Sequence, residues 1–438
     1  MRNSKRNRRS APMWALILSI FIALLPSPFV RPQPAEAAAF DLKLEVKAAI
    51  LIEAETGQVL YEYNADEPLP PASMSKMMTE YLVLEQIQQN KLKWDDIVTA
   101  SRYAATVGGS GGMIGIGEKL TVKDVFYEMS IYSGNDGSVA LAEHIAGSEE
   151  NFARMMNAKA RELGLSDQAH FINATGLPRA DLGANAPAGI PGETLMSARD
   201  AAKLARRLIL DHPEILEFTR IPSKKLRERD KDPMINYNWM LEGNINTNYL
   251  SKYAYPGLDG LKTGSTDEAG YCFTGTAQRD GMRLISVVMG TSSEPKRFDE
   301  TRKLLDYGFN QFEKRTVVSA KSEVAAMKAI PIKKGTKTEA PVVAENALAL
   351  VVPKGTKDDE FVFQAEAADE NSRIAPIKQG DVLGKLTVSF TLPGDIVVSQ
   401  ETNLVAAEDV GKGSWFKLLF RAIRGYFADL FTSIKNQF

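Results

Sequence analysis

Two short apolar runs, Lys47–Ala54 with the unbroken stretch Ala48–Ile52 and Gln58–Asn64, are joined at Glu55-Thr56-Gly57. Short runs bounded by such a turn predict a pair of strands. Past the prolines of residues 68–71 a helical period begins. From Ser73 onward Met77, Met78, Tyr81, Leu82 and Leu84 recur at spacings of three and four, which predicts a helix. The same reasoning predicts helices at Val122–Tyr132, Ser138–Ala146, Glu150–Leu163 and Ala198–Leu210. A hairpin follows at Tyr271–Ala277 and Arg283–Gly290 with Asp280-Gly281 as its turn, then a helix at Phe298–Phe312. Strands, a helical block, then strands and a closing helix predict an α/β (α+β) domain with an antiparallel sheet over residues 38–315.

After Arg315 the helical period vanishes. Residues 316–408 are rich in Val, Ala, Lys and Thr, with short alternating stretches such as Leu386–Leu392 broken by turn signals at Lys354-Gly355 and Pro393-Gly394. The stretch Ile330–Lys337 is echoed by Val351–Lys357, which predicts paired hairpins in a small all-β accessory domain.

Both ends carry membrane signals. Arg2, Lys5, Arg6, Arg8 and Arg9 precede an apolar run from Met13 to Leu25, and Ala35-Glu36-Ala37 offers a small-x-small cleavage site. This reads as a signal peptide over residues 1–37. As a helix the apolar run reaches only about 20 Å, short of the ~30 Å hydrocarbon core, which disfavours a permanent anchor. At the other end, Phe416, Leu419, Phe420, Ile423, Phe427, Leu430, Phe431, Ile434 and Phe438 fall in one arc of about 120° on a helical projection. Lys417, Arg421, Arg424 and Lys435 flank that arc. Residues 411–438 therefore predict an amphipathic helix lying on anionic lipid, with its Phe inserted and its basic flank against head groups.

Composition narrows the chemistry. Of 438 residues 44 % are hydrophobic and 25 % charged, too many charges for a multispanning membrane protein. The near balance of 53 Lys and Arg against 55 Asp and Glu gives no reason to expect nucleic acid. Three histidines and one cysteine leave little for a zinc site and no intramolecular disulfide, so neither metal nor organic cofactor is expected. Cys272 reads as a small buried hydrophobe. His144 reads as a core or edge histidine, while His170 and His212 have no evident partners.

A serine enzyme short of histidine can take its base from a lysine whose pKa is lowered by burial or neighbouring cations. Ser73-Met74-Ser75-Lys76 puts the two side chains on one helix face, Ser73 near the positive end of the dipole. Alone this is weak, since Ser293/Lys296 and Ser414/Lys417 repeat the spacing. Ser133-Gly134-Asn135 is the only Ser-x-Asn, and Lys262-Thr263-Gly264 the only Lys-Thr/Ser-Gly. Together, in this order on helix, loop and strand, the three form a strong signal.

Here the chain closely resembles the low-molecular-mass penicillin-binding proteins, the D-alanyl-D-alanine carboxypeptidases. Beyond the three short motifs, Pro71–Thr79, Ser133–Asp136, Phe171–Leu177, Asp259–Gly264 and Met282–Val288 read like that family's motif contexts. The resemblance covers residues 45–315, and the β domain and amphipathic tail match the family's layout. It implies a penicillin-binding/β-lactamase-like serine transpeptidase fold, with Ser73 attacking the bond between two D-alanines of a peptidoglycan pentapeptide stem. Lys76, kept neutral by nearby Lys262, takes the serine proton. Ser133 relays a proton to the leaving amine, and Asn135 orients Lys76 and the substrate. Lys262, Thr263, Gly264, Ser265 and Arg297 form the substrate-binding set. Of these, Lys262, Thr263 and Arg297 receive the terminal carboxylate, while the backbone N–H groups of Ser73 and Ser265 form the oxyanion hole. The family often has histidine where Ser265 stands, but only the backbone is needed there. β-Lactams are the implied inhibitors, and the implied setting is the outer face of a bacterial cytoplasmic membrane.

Three other readings compete. Transpeptidation differs only in its acceptor, an amine in place of water, and the motifs do not separate it. A class A β-lactamase carries a Glu-x-x-Leu-Asn loop, and none occurs between Asn135 and Lys262. A silent wall-binding scaffold predicts loss of the nucleophile or a lysine, whereas Ser73, Lys76 and Lys262 are all present. Asp136 reads as structural. The segment Val107–Gly117, with six glycines, lacks the Lys-Ser/Thr ending of a phosphate loop and reads as a mobile loop beside the site.

Overall fold

The computed structural model describes residues 42–246, 249–392, 396–421, 423, 424 and 427. The expected signal peptide lies outside the described residues, as does the distal part of the expected tail helix.

The two N-terminal strands form as β1 (Ala48–Glu53) and β2 (Val59–Tyr63). They join β3 (Leu258–Thr266), β4 (Gly270–Arg279) and β5 (Met282–Thr291) in a five-stranded antiparallel sheet of order β2-β1-β5-β4-β3. Asp280 and Gly281 both have positive φ, +48° and +76°, the backbone that a two-residue hairpin turn demands. Side chains alternate across the sheet. Ile50, Ile52, Ile285, Val287 and Met289 join the core under the helical block, while Ala49, Leu51, Phe273, Leu284 and Val288 join a second core on the opposite face.

The central helix of the block is α1 (Lys76–Gln88), preceded by a 3₁₀ turn over Ala72–Ser75. Every residue from Lys76 to Leu84 is buried, so α1 is surrounded on all sides and its apolar spacing is broader than one stripe. Around it pack α2 (Val122–Tyr132), α3 (Asn135–Ala146), α4 (Glu149–Glu162) and α5 (Ala198–Asp211). α3 begins three residues before the expected Ser138. The apparent breakers Asp136 and Gly137 lie inside it because Gly134 takes the N-cap position. On the second face, α6 (Glu294–Gln311) starts four residues before the expected Phe298, with a proline in its first turn where no N–H is missed.

The β-rich region follows α6 without a break. β6 (Phe312–Val318) runs through the expected boundary at residue 315 and pairs with β9 (Leu348–Pro353). A second five-stranded sheet contains β7 (Ala329–Pro331), β8 (Glu339–Ala344), β12 (Ile396–Ala406), β11 (Val382–Leu392) and β10 (Val362–Ala367), in that order. The sequence echo does not mark paired hairpins. Its first copy runs from β7 in the five-stranded sheet, its second from β9 beside β6. One hydrophobic core joins this region to the first five-stranded sheet and α6, containing Leu51, Leu284, Leu304 and Phe309 as well as Leu350, Val352, Leu386 and Leu404. Gln58 Nε2 also donates to the Val351 carbonyl at 2.8 Å.

The described part of the terminal helix begins after Ser414. Its apolar face is exposed: Phe416, Leu419, Phe420, Ile423 and Phe427 all face solvent. Among the described residues no helix is long and apolar enough to cross a membrane.

Candidate active site

Ser73 is half-buried in the turn that opens into α1, and Ala72 before it holds the left-handed backbone at φ +50°. A residue with a Cβ is strained there, which marks the turn as over-determined by its surroundings. Two segments press on it. Gly264 of β3 lies so close that a Cβ would fall 2.5 Å from the Pro71 carbonyl and 3.2 Å from Ser73 N. Gly176 lies on the other side, where a Cβ would fall 2.0 Å from the Ala72 carbonyl. Gly264 is thus the residue that lets the strand bring Ser265 alongside Ser73.

Lys76 is wholly buried, with Nζ 2.9 Å from Ser73 Oγ, 2.6 Å from Asn135 Oδ1 and 2.9 Å from the Thr175 carbonyl. A neutral amine has two N–H bonds and one lone pair. Asn135 and Thr175 accept the two N–H bonds, leaving the lone pair for the Ser73 hydroxyl proton. Burial, followed by the charge of Lys262, holds Lys76 well below the usual lysine range; Glu128, Glu80 and Asp136 oppose this.

Ser133 ends α2 in the left-handed conformation, φ +59°, directly before α3. Its Oγ accepts a 2.7 Å bond from Lys262 Nζ, which also donates to the Thr263 carbonyl at 3.2 Å. Burial lowers Lys262 to about 8. Glu80, one turn along α1 from Lys76, is pushed up to about 7 by burial against the pull of the two lysines.

Arg297 reaches the same strand from α6. Its NH1 donates to the Gly264 carbonyl at 3.4 Å and its NH2 to Glu294 at 2.7 Å. Neighbouring Lys296 turns away to Glu45 at 2.6 Å. The structure thus gathers Ser73, Lys76, Ser133, Asn135, Lys262, Thr263, Gly264 and Ser265 around one turn, with Arg297 buried behind the strand.

Several contributors had no legible role in the sequence. Residues 171–177, visible only as a family-like stretch, supply the Thr175 carbonyl. Asn173 Oδ1 shapes their turn by accepting from Thr175 N, Thr175 Oγ1 and Gly176 N. The glycine-rich segment is beside the site as expected, but it is tied rather than loose. Its Gly108 carbonyl accepts from Asn135 Nδ2 at 2.7 Å, and its Met113 and Ile114 N–H groups each donate to Asp136 Oδ2 at 2.9 Å. The Met113 carbonyl and Glu118 are held by Arg227. Cys272 is buried, which pushes its thiol up to about 11 and keeps it inert. His144 is exposed, contrary to the expected core or edge position, while His170 Nε2 contacts the Pro191 carbonyl and His212 packs on Tyr81.

Residues 33–293 match the family model described as D-alanyl-D-alanine carboxypeptidase, and residues 312–412 match the C-terminal domain of penicillin-binding protein 5. The chain is similar to the D-alanyl-D-alanine carboxypeptidase DacF of Bacillus subtilis (strain 168), at 36% identity over 408 residues, covering 93% of this chain and 96% of the relative. Among solved structures it is similar to a peptidoglycan synthesis regulatory factor (PBP3) from Streptococcus pneumoniae. That likeness has a TM-score of 0.71 and 32% identity, covering 84% of this chain and 99% of the other. It is also similar to penicillin-binding protein D2 from Listeria monocytogenes in its ampicillin-bound form, with a TM-score of 0.50 and 35% identity, covering 61% of this chain and 98% of the other.

Proposed function

We propose, from the premise that the chain belongs to the D-alanyl-D-alanine carboxypeptidase family, that it releases the terminal D-alanine of peptidoglycan pentapeptides through an acyl-enzyme on Ser73. The observation that carries this reading is the buried Lys76 amine 2.9 Å from Ser73 Oγ, its other partners being the acceptors Asn135 and Thr175.

Ser73 Oγ attacks the penultimate D-alanine carbonyl while its proton passes to Lys76. The oxyanion forms against the backbone N–H groups of Ser73 and Ser265, which Gly264 brings together. Ser133 hands a proton to the departing amine and is replenished through the protonated lysines. Free D-alanine leaves and an ester remains on Ser73. Water then attacks the ester, giving up a proton as the Ser73 hydroxyl is restored. Lys262 and Thr263 hold the terminal carboxylate, and the positive charge of Arg297 supports them from behind the strand. A β-lactam mimics the scissile bond but keeps its leaving group tethered, so it traps the acyl stage.

The test is D-alanine release from a pentapeptide ending in D-Ala-D-Ala, beside mass spectrometry after exposure to benzylpenicillin. Release with a persistent adduct on Ser73 supports the carboxypeptidase; rapid penicillin turnover without an adduct would favour a β-lactamase instead. Run against pH, kcat/KM is expected to rise as Lys76 loses its proton and to fall near pH 8, where Lys262 loses the charge that holds the carboxylate. Lys262→Arg keeps that charge and should move the falling limb upward; an unmoved limb would assign it to another group.

The membrane half of the reading belongs with it. The exposed face of Phe416, Leu419, Phe420, Ile423 and Phe427 supports a helix lying in the lipid interface, which would keep an exported enzyme at the outer face of the cytoplasmic membrane. In flotation with phosphatidylglycerol vesicles the chain lacking residues 1–37 should co-float, and Phe416→Glu with Phe420→Glu should leave it in the soluble fraction. Equal flotation of both would remove the helix as anchor.

A further inference from the structure

The Ser133-Gly134-Asn135 turn covers a carboxyl that the reaction above does not use. Glu128, five residues before Ser133 on α2, is fully buried. A Cβ at position 134 would fall 1.4 Å from its Oε1, and one at position 137 would fall 2.1 Å from its Oε2. Two glycines thus leave the space this carboxyl fills. One of them is the middle residue of the catalytic tripeptide.

Neither Glu128 oxygen nor Asp136 Oδ1 makes a well-aligned hydrogen bond to a donor, although the Gly137 N–H approaches the Glu128 carboxyl. The two carboxyls instead face each other at hydrogen-bonding range. Two ionised carboxylates cannot bond to one another, so one of them must keep its proton. The proton belongs to Glu128, whose complete burial without a well-aligned donor disfavours its charge, while Asp136 Oδ2 accepts from Met113 N and Ile114 N at 2.9 Å each.

We infer that Glu128 is a neutral carboxylic acid donating to Asp136, and that this acid pair is the positioning device from which the glycine-rich loop, Asn135 and so Lys76 are hung. The chain of contacts is continuous. Asp136 grips the loop at residues 113 and 114, and at Gly111 (φ +124°) a Cβ would fall 2.1 Å from Asp136 Oδ1. The same loop accepts from Asn135 at the carbonyls of Ser110 (from N, 2.7 Å) and Gly108 (from Nδ2, 2.7 Å). Asn135 Oδ1 in turn accepts from Lys76 at 2.6 Å. The groups around Glu128 are Asp136 and the Gly137 N–H on α3, Lys76 on α1, Tyr132 on α2 and Lys262 on β3. An ionised Glu128 would add a negative charge beside Lys76 and make the lysine hold its proton. A neutral one leaves it free to accept from Ser73.

This inference rests on Lys76 as the proton acceptor, and its test separates the two. In the full chain lacking residues 1–37, the infrared difference between wild type and Glu128→Gln should show a protonated-carboxyl C=O band at neutral pH that shifts in heavy water. Glutamine supplies a neutral donor of the same shape. Glu128→Gln should therefore keep the benzylpenicillin acylation rate within about threefold and leave its rising pH limb in place, whereas Glu128→Ala should lose about tenfold or more. Amide exchange at Met113 and Ile114 should quicken in Glu128→Ala and not in Glu128→Gln. No protonated band, or a rising limb moved to lower pH by Glu128→Gln, would show an ionised Glu128 and overturn the acid pair. Unchanged exchange and acylation in Glu128→Ala would overturn the positioning role. Where alanine prevents folding, the band and the glutamine variant decide. A wild type that neither acylates nor releases D-alanine would instead sink the reading of Lys76, while band and exchange still report on the pair.

Discussion

Replacing Ser73 by alanine is expected to reduce D-alanine release by about 10⁴-fold or more and to abolish the benzylpenicillin adduct. The reason is covalent: no other hydroxyl can take the position. Ser75, two residues on, is fully buried, and its Oγ faces the Gly176 turn, where a Cβ at that glycine would lie 2.4 Å away. The binding groups are untouched, since Lys262 bonds to Ser133 and Thr263 rather than to Ser73. The variant should therefore still bind a D-Ala-D-Ala peptide, with a dissociation constant close to that of the wild type by calorimetry. Loss of binding along with turnover would point to a collapsed turn, and an adduct surviving in Ser73→Ala would place the nucleophile elsewhere.

Lys76→Met is expected to cost about 10³-fold in both D-alanine release and penicillin acylation, within the range for losing a general base. Methionine reproduces the unbranched stem as far as Cε without the amine and its lone pair, and it leaves Asn135 Oδ1 and the Thr175 carbonyl without their donor. The two rates should fall together, because both need the same serine proton removed. Lys76→Arg should be no better, since a guanidinium does not surrender its proton near neutrality. Should Lys262→Met lower acylation further than Lys76→Met, the base would be the other lysine. Melting curves taken alongside separate a chemical loss from an unfolded one.

Much of this site was legible before the fold. The three short motifs name the right neighbours because each is fixed by local chemistry: a serine and lysine one helical turn apart, a turn between two helices, a strand with a glycine at its point of contact. The Asp280-Gly281 hairpin was equally plain, because only a few residue types accept its backbone. What stayed hidden is what tertiary contact decides. The start of α3 inside an apparent breaker depends on Gly134 and Gly137 packing over Glu128. The Thr175 carbonyl that serves Lys76 is backbone, and backbone has no signature in sequence. Glu80 and Glu128 sit among apolar neighbours, and a period of three or four cannot say that a carboxyl there goes inward. The repeat of Ile330–Lys337 in Val351–Lys357 misled because similar strand-and-turn chemistry was spent in two different sheets.

The hydrophobic core shared by the catalytic sheet and the β-rich region has a mechanical consequence. A joint held by buried side chains on both sides behaves as a strut, whereas a joint of exposed linker behaves as a tether. The terminal helix leaves the β-rich region where Gly413 N bonds the Lys334 carbonyl and Gly335 bridges Lys412. With that helix seated in lipid, as proposed, Ser73 works at one altitude above the bilayer, set by the length of folded protein. Wall strands within that narrow layer are processed at high local concentration, and those beyond it are out of reach however long the enzyme waits.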